Sequence, residues 1–208
     1  MTDRETRING LERLVGFSDG VYEIAATLLA INIHIPVTHE RLRPEQLTSL
    51  VPSVSVYALT FIVIGLFWVS HHRMFQMIAR IDYALVWLNI FVLMTVAFLP
   101  VPNATFAEYP TSPYAVLFYA GAVIVTAVAN ILLWWYATHR GRCIRQNASP
   151  ATIHGIFRRL ATTAGVQVVA IPIAFASTRV AFSFMVFYGV ASIASVIVET
   201  GRDARGRI

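Results

Sequence analysis

Arg13-Leu14-Val15-Gly16-Phe17-Ser18-Asp19-Gly20-Val21-Tyr22-Glu23-Ile24-Ala25-Ala26-Thr27-Leu28-Leu29-Ala30-Ile31-Asn32-Ile33-His34-Ile35-Pro36 carries two conflicting signals. From Leu14 to Ile35 it is mostly apolar and as long as the roughly 20 residues a helix needs to cross the hydrocarbon core of a bilayer. Its first half nevertheless holds Ser18, Asp19 and Glu23. Ionisable groups inside a membrane are costly and face protein or water rather than lipid. These interruptions, with no small-residue cleavage pattern behind them, mark the run as a retained helix rather than a removable signal peptide.

Five further runs of similar character follow. One extends from about Leu47 to Val69 and ends in Ser70-His71-His72-Arg73. The next covers about 83–98 and closes at Pro100 and Pro102. A fourth covers about 114–136 and ends in His139-Arg140. The last two, about 160–176 and 180–198, are separated only by Ser177, Thr178 and Arg179. Together they are too long for one crossing and predict a bent hairpin. The fold class is therefore all-α, an integral membrane protein of six transmembrane helices in one domain over residues 1–208. At 57% hydrophobic residues and a mean hydropathy of +0.64, the chain is built for lipid rather than water. It shows no internal repeat, low-complexity segment or heptad array.

The charge pattern sets the orientation. All 16 basic residues are arginine, and they sit in the gaps between apolar runs, so the sequence pI of 9.8 is topogenic and predicts no nucleic-acid partner. Cytoplasmic termini put Arg4, Arg7, Arg13, Arg73, Arg80, Arg140, Arg142, Arg145, Arg158, Arg159, Arg202, Arg205 and Arg207 inside. Only Arg41, Arg43 and Arg179 are left outside. This positive-inside bias predicts a multi-pass protein of the cell membrane with both termini cytoplasmic. Trp87, Trp134 and Trp135 near the span ends read as interfacial anchors. A single cysteine, Cys143, allows no intramolecular disulfide and reads as a free loop thiol.

The first helix carries the unusual chemistry. Ser18 and Asp19 can be read as an interfacial cap stabilised by the helix N-terminus. They can also be read, with Phe17, as part of a polar network with Trp68, His71 and His72 of the second span and Asn89 of the third. Further along, Ile24, Leu28 and Ile31 recur at i, i+4 and i+7 with Thr27 beside them, which makes one narrow helical stripe. Such a stripe suits lipid, a protein core or a pore, and spacing does not choose among them.

A resemblance does choose. Arg13-x-x-x-Phe17-Ser18-Asp19-Gly20, then Thr27-Leu28-Leu29 and Ile35-Pro36, resembles the first helix of the lysosomal potassium channel family in its bacterial single-repeat form. Phe67-Trp68, His71-His72-Arg73-Met74-Phe75, Leu88-Asn89 and Phe98-Leu99-Pro100 resemble that family's second and third helices. The match covers roughly the first 110 residues; the last three spans agree only in number and hydrophobicity. The resemblance implies a homotetramer around a central pore lined by the first helix, conducting monovalent cations with potassium as the permeant ion and no cofactor. It places the constriction on Ile24, Leu28 and Ile31 with the Thr27 hydroxyl beside it, and the structural network on Arg13, Phe17, Ser18, Asp19, Trp68, His71, His72 and Asn89. Such rings gate by dewetting and make an ion shed part of its hydration. No Thr-Val-Gly-Tyr-Gly carbonyl filter occurs in the sequence.

Glu23 departs from the family, which has a small apolar residue there. It follows Asp19 by one turn and precedes Thr27 by one, so it either concentrates cations near the inner pore or packs as a hydrogen-bonded carboxyl between subunits. His71 and His72 point about 100° apart on a helix and cannot grip one metal in the i, i+4 manner, so no metal is expected. Asn103-Ala104-Thr105 fits a glycosylation sequon and reads as an outer loop. His34 and His39 read as solvated groups at the outer mouth. Two rivals remain: a secondary transporter coupled through Asp19 and Glu23, and an intramembrane enzyme with His71 or His72 and Asp19 as a dyad, which lacks a nucleophile or metal triad.

Overall fold

The computed structural model describes the backbone of residues 3–31, 33, 44–145 and 148–205. The expectations attached to His34, Ile35, Pro36, His39, Arg41 and Arg43 lie outside the described residues. The elements are α1 Asp3–Ile31, α2 Pro44–Thr48, α3 Val51–Met77, α4 Tyr83–Phe98, α5 Pro100–Glu108, α6 Pro113–Thr138, α7 Pro150–Ala176 and α8 Thr178–Arg205. Among the described residues, six segments are long and apolar enough to cross a membrane: Gly10–Ile31, Val51–Met77, Tyr83–Glu108, Pro113–Thr138, Pro150–Ala176 and Thr178–Val198.

Prolines account for several of the differences from the expected boundaries. Pro52, Pro100, Pro113 and Pro150 each sit in the first turn of a helix. An N–H there has no intrahelical partner to lose, and the fixed φ suits the helix. Pro100 therefore does not close the third span. It starts α5 after the single hinge residue Leu99, whose N–H still bonds Val96 at 3.1 Å and whose carbonyl accepts from the Asn103 N–H at 3.1 Å. The span runs on to Glu108, and Asn103-Ala104-Thr105 is a helical segment with Asn103 buried, not an outer loop. By the same logic α7 begins at Pro150, ten residues before Leu160, and carries Arg158 and Arg159 on the helix. The α7–α8 turn falls on Ser177 alone, whose carbonyl receives the Ala181 N–H at 3.1 Å.

The helices share one core. α6 lies between α4 and α7, α8 packs on α7 and α3, and α1 packs on α3, α4 and α5. Trp134, Tyr119, Phe67, Phe106 and Leu29 are among its largest fully buried side chains. The burial of Trp134 corrects its reading as an interfacial anchor: its indole N–H donates 3.2 Å to the Ile153 carbonyl, tying α6 to α7. Trp87 and Trp135 are exposed.

Backbone pairing joins two loops at one end of the bundle. The Cys143 carbonyl accepts from the Ala79 N–H at 2.7 Å, the Arg145 N–H donates to Met77 at 2.9 Å, and Ile78 bridges Ile144. Asp82 caps α4 through the Leu85 N–H at 2.8 Å and accepts the Tyr136 hydroxyl at 2.7 Å. The Arg142 guanidinium lies 4.8 Å from the Tyr136 ring centre. Cys143 is a free loop thiol, as expected, but a buried one held in this clasp, and burial pushes its thiol pKa up.

Candidate functional site

α1 has two faces set by its 3.6-residue period. Ser18, Tyr22, Ala25 and Leu29, at i, i+4, i+7 and i+11, are buried against the rest of the subunit. On another side Ile24, Leu28 and Ile31 are 60%, 40% and 72% exposed. Phe17 sits two turns before Ile24 on that same stripe and is also exposed, so it belongs with the apolar row and not with the polar network. Glu23 and Thr27 are exposed beside the stripe, and the Thr27 hydroxyl donates 2.9 Å to the Ile24 carbonyl.

The expected network resolves into two branches. In the buried branch, the Asn89 amide nitrogen donates 3.0 Å to the Ser18 hydroxyl, which itself donates 2.8 Å to the Leu14 carbonyl. The Asn89 carbonyl oxygen then faces His71 Nε2 at 2.7 Å, so this imidazole nitrogen carries the proton and donates. The His71 ring stacks on Phe75 with centres 4.4 Å apart and tilts against Tyr22 at 5.4 Å. Ser18, His71 and Asn89 are all buried, and each comes from a different helix: α1, α3 and α4.

The second branch is less buried within the subunit. The Trp68 indole N–H donates 2.9 Å to Asp19 Oδ1, and the Trp68 ring stacks on His72 at 5.4 Å. The Gln76 amide nitrogen, which can only donate, lies 2.9 Å from His72 Nε2, so that ring nitrogen accepts. Asp19 is therefore held by a partner on α3 as well as by its place on α1. Arg13 is exposed and joins neither branch among the described residues. Gln76 was missed from the sequence because a lone glutamine one turn beyond His72 gives no signal of its own. No group of three metal-ligating side chains occurs among the described residues.

Residues 13–100, which hold both branches and the stripe, match the sequence profile of the family described as endosomal/lysosomal potassium channel TMEM175. A protein of Streptomyces collinus named a potassium channel is 39% identical over 142 residues, 64% of this chain and 68% of that one. The chain belongs to the TMEM175 family. A potassium channel of Chamaesiphon minutus is 35% identical over 172 residues, 79% of this chain and 84% of that one. The crystal structure of a lysosomal potassium-selective channel TMEM175 homolog from the same organism matches with a TM-score of 0.76 at 29% identity, covering 90% of this chain and 98% of that one. The structural likeness thus extends over the last three spans, where the sequence resembled the family only in number and hydrophobicity. Membership in a family of ion channels sets aside the enzyme reading of Asp19, His71 and His72.

Proposed function

We propose that this chain assembles as a homotetramer in the cell membrane and conducts potassium selectively through a central pore lined by α1. The observation that carries this reading is the exposed side of α1. Ile24, Leu28 and Ile31 form an apolar row there, flanked by Glu23 and Thr27. A row facing lipid would set a carboxylate beside hydrocarbon at a cost of about 3 kcal/mol or more near the bilayer centre. Water and neighbouring subunits avoid that cost. Around a four-fold axis each apolar residue becomes a ring that narrows and dries the pore. Thr27 spends its proton on its own helix and leaves oxygen lone pairs outward, which suits cations. Potassium sheds water more readily than sodium and meets the lower barrier. Asp19, engaged by Trp68, serves better as part of a brace than as the coupling carboxylate of a carrier.

The test is reconstitution of the purified protein in liposomes with potassium on one side and sodium on the other. A current with a reversal potential near the potassium value and an ohmic slope supports the channel; saturable, coupled exchange supports the carrier and defeats this proposal.

Both termini and the α6–α7 loop are proposed to be cytoplasmic. Native Cys143 does not report this, because its burial protects it on either side. A C143A/S149C variant places the only thiol on an exposed residue of that loop. It should react with an impermeant maleimide only after lysis; labelling in intact cells would reverse the orientation.

A further inference from the structure

Tyr22 carries its hydroxyl on the buried face of α1, one turn beyond Ser18. The side chain is 2% exposed, and its ring tilts against that of His71 with centres 5.4 Å apart. Packing alone would be met as well by phenylalanine, which buries the same ring without a polar end. A buried tyrosine keeps its hydroxyl at a cost unless a partner takes it up. Beside this hydroxyl lies the side chain of Asn130, which belongs to α6 and is fully buried.

The Asn130 amide nitrogen donates 2.9 Å to the Thr126 carbonyl of its own helix. A carbonyl only accepts, so the amide cannot be turned over, and its oxygen is the atom left over. The Tyr22 hydroxyl and Asn130 Oδ1 are neighbours that do not bond: each is buried without a hydrogen-bond partner among the described residues. Both belong to membrane-length helices, Gly10–Ile31 and Pro113–Thr138, so lipid supplies no partner there. A donor and an acceptor set side by side without bonding suit a bridging molecule. The bridge must accept from the hydroxyl and donate to the carboxamide oxygen, which water does and a metal cation does not. Tyr119 provides the contrast: it is equally buried, and its hydroxyl accepts from Thr60 at 3.2 Å.

We infer that a water molecule is bound inside the subunit between the Tyr22 hydroxyl and Asn130 Oδ1, tying α1 to α6. A buried water is held by roughly two to four polar partners, and this pair supplies two. The bridge extends the hold on α1 beyond the buried branch. Ser18 reaches α4 through Asn89 and then α3 through His71. The water reaches α6 one turn later, at the residue that precedes Glu23 and Ile24 in the chain. The site lies within one subunit and is independent of what the assembled protein conducts.

X-ray radiolysis of the purified protein in detergent micelles tests this. Short pulses turn bound water into hydroxyl radicals that oxidise the side chains touching it, and peptide mass spectrometry locates the added oxygen. In the wild type Tyr22 is expected to be oxidised and Tyr119 to stay unmodified. Asn130→Leu removes the far anchor and should abolish oxidation of Tyr22. Thermal melts give an independent sign. With the water bound, Tyr22→Phe strands Asn130 Oδ1 and should lower the melting midpoint by about 2 to 4 °C. Without it, the same substitution deletes an unsatisfied hydroxyl and raises the midpoint. The wild-type comparison and Tyr22→Phe decide the matter even if Asn130→Leu does not assemble. Tyr22 as unreactive as Tyr119, undiminished Tyr22 oxidation in Asn130→Leu, or a Tyr22→Phe protein more stable than the wild type would each overturn the assignment.

Discussion

Ile24→Asn is expected to raise unit conductance several-fold and to bring the potassium-to-sodium permeability ratio down toward unity. In the proposed tetramer the substitution turns one apolar ring into a ring of four amides. Water then stays in the constriction, and a passing ion keeps more of its shell, so the dehydration that separates the two cations weakens. The variant should still fold, because Ile24 is 60% exposed on the subunit and supports little of its core. Val168→Asn, also exposed but on α7, should leave both quantities unchanged. Thr27→Val isolates the hydroxyl layer: loss of selectivity there with Ile24→Asn silent would move the filter onto the Thr27 hydroxyls. If neither substitution alters permeation in protein that assembles, α1 does not line the pore and the proposed mechanism fails. Single-channel recording in planar bilayers measures both quantities directly.

The parts of this molecule that were legible in its sequence are those governed by solvent. Six apolar runs were visible because lipid imposes a length and a composition on any helix that crosses it. The stripe of Ile24, Leu28 and Ile31 followed from helical period alone, and the exposure of these residues agrees with it. What was misread depended on local backbone chemistry or on partners distant in sequence. Pro100 looked like a terminator, yet one residue of hinge turned it into a helix start. Trp134 looked like an anchor because it lies near a span end, as Trp135 does, but successive residues of a helix point about 100° apart, and only one of the pair faces outward. Phe17 adjoins Ser18 in sequence and lies on a different face for the same reason. The division of the network into a buried and an exposed branch needed the pairing of α1 with α3 and α4, which no spacing within one helix contains.

Asn89 links α1 to α3 through Ser18 and His71, and Asn89→Leu is expected to destabilise the assembled protein by about 1 to 3 kcal/mol. The substitution roughly conserves volume, so the loss comes from polarity rather than a cavity. His71 loses the acceptor for its Nε2 proton, while Ser18 keeps its bond to the Leu14 carbonyl at 2.8 Å. His71 is buried, so no water replaces the lost partner at low cost. Adding His71→Phe removes the stranded donor while keeping a ring to stack on Phe75, so the double variant should recover most of the loss. Asp19→Ala should cost less, about 1 kcal/mol or below, because Asp19 and Trp68 are less buried within the subunit than His71 and Asn89. Thermal melts of the detergent-solubilised protein, followed by size-exclusion profile, rank the three. A single Asn89→Leu variant as stable as the wild type, or a double variant less stable than the single, would show that the Ser18–Asn89–His71 chain does not brace α1. The stripe of Ile24, Leu28 and Ile31 would then have to be held in place by the packing of Tyr22, Ala25 and Leu29 alone.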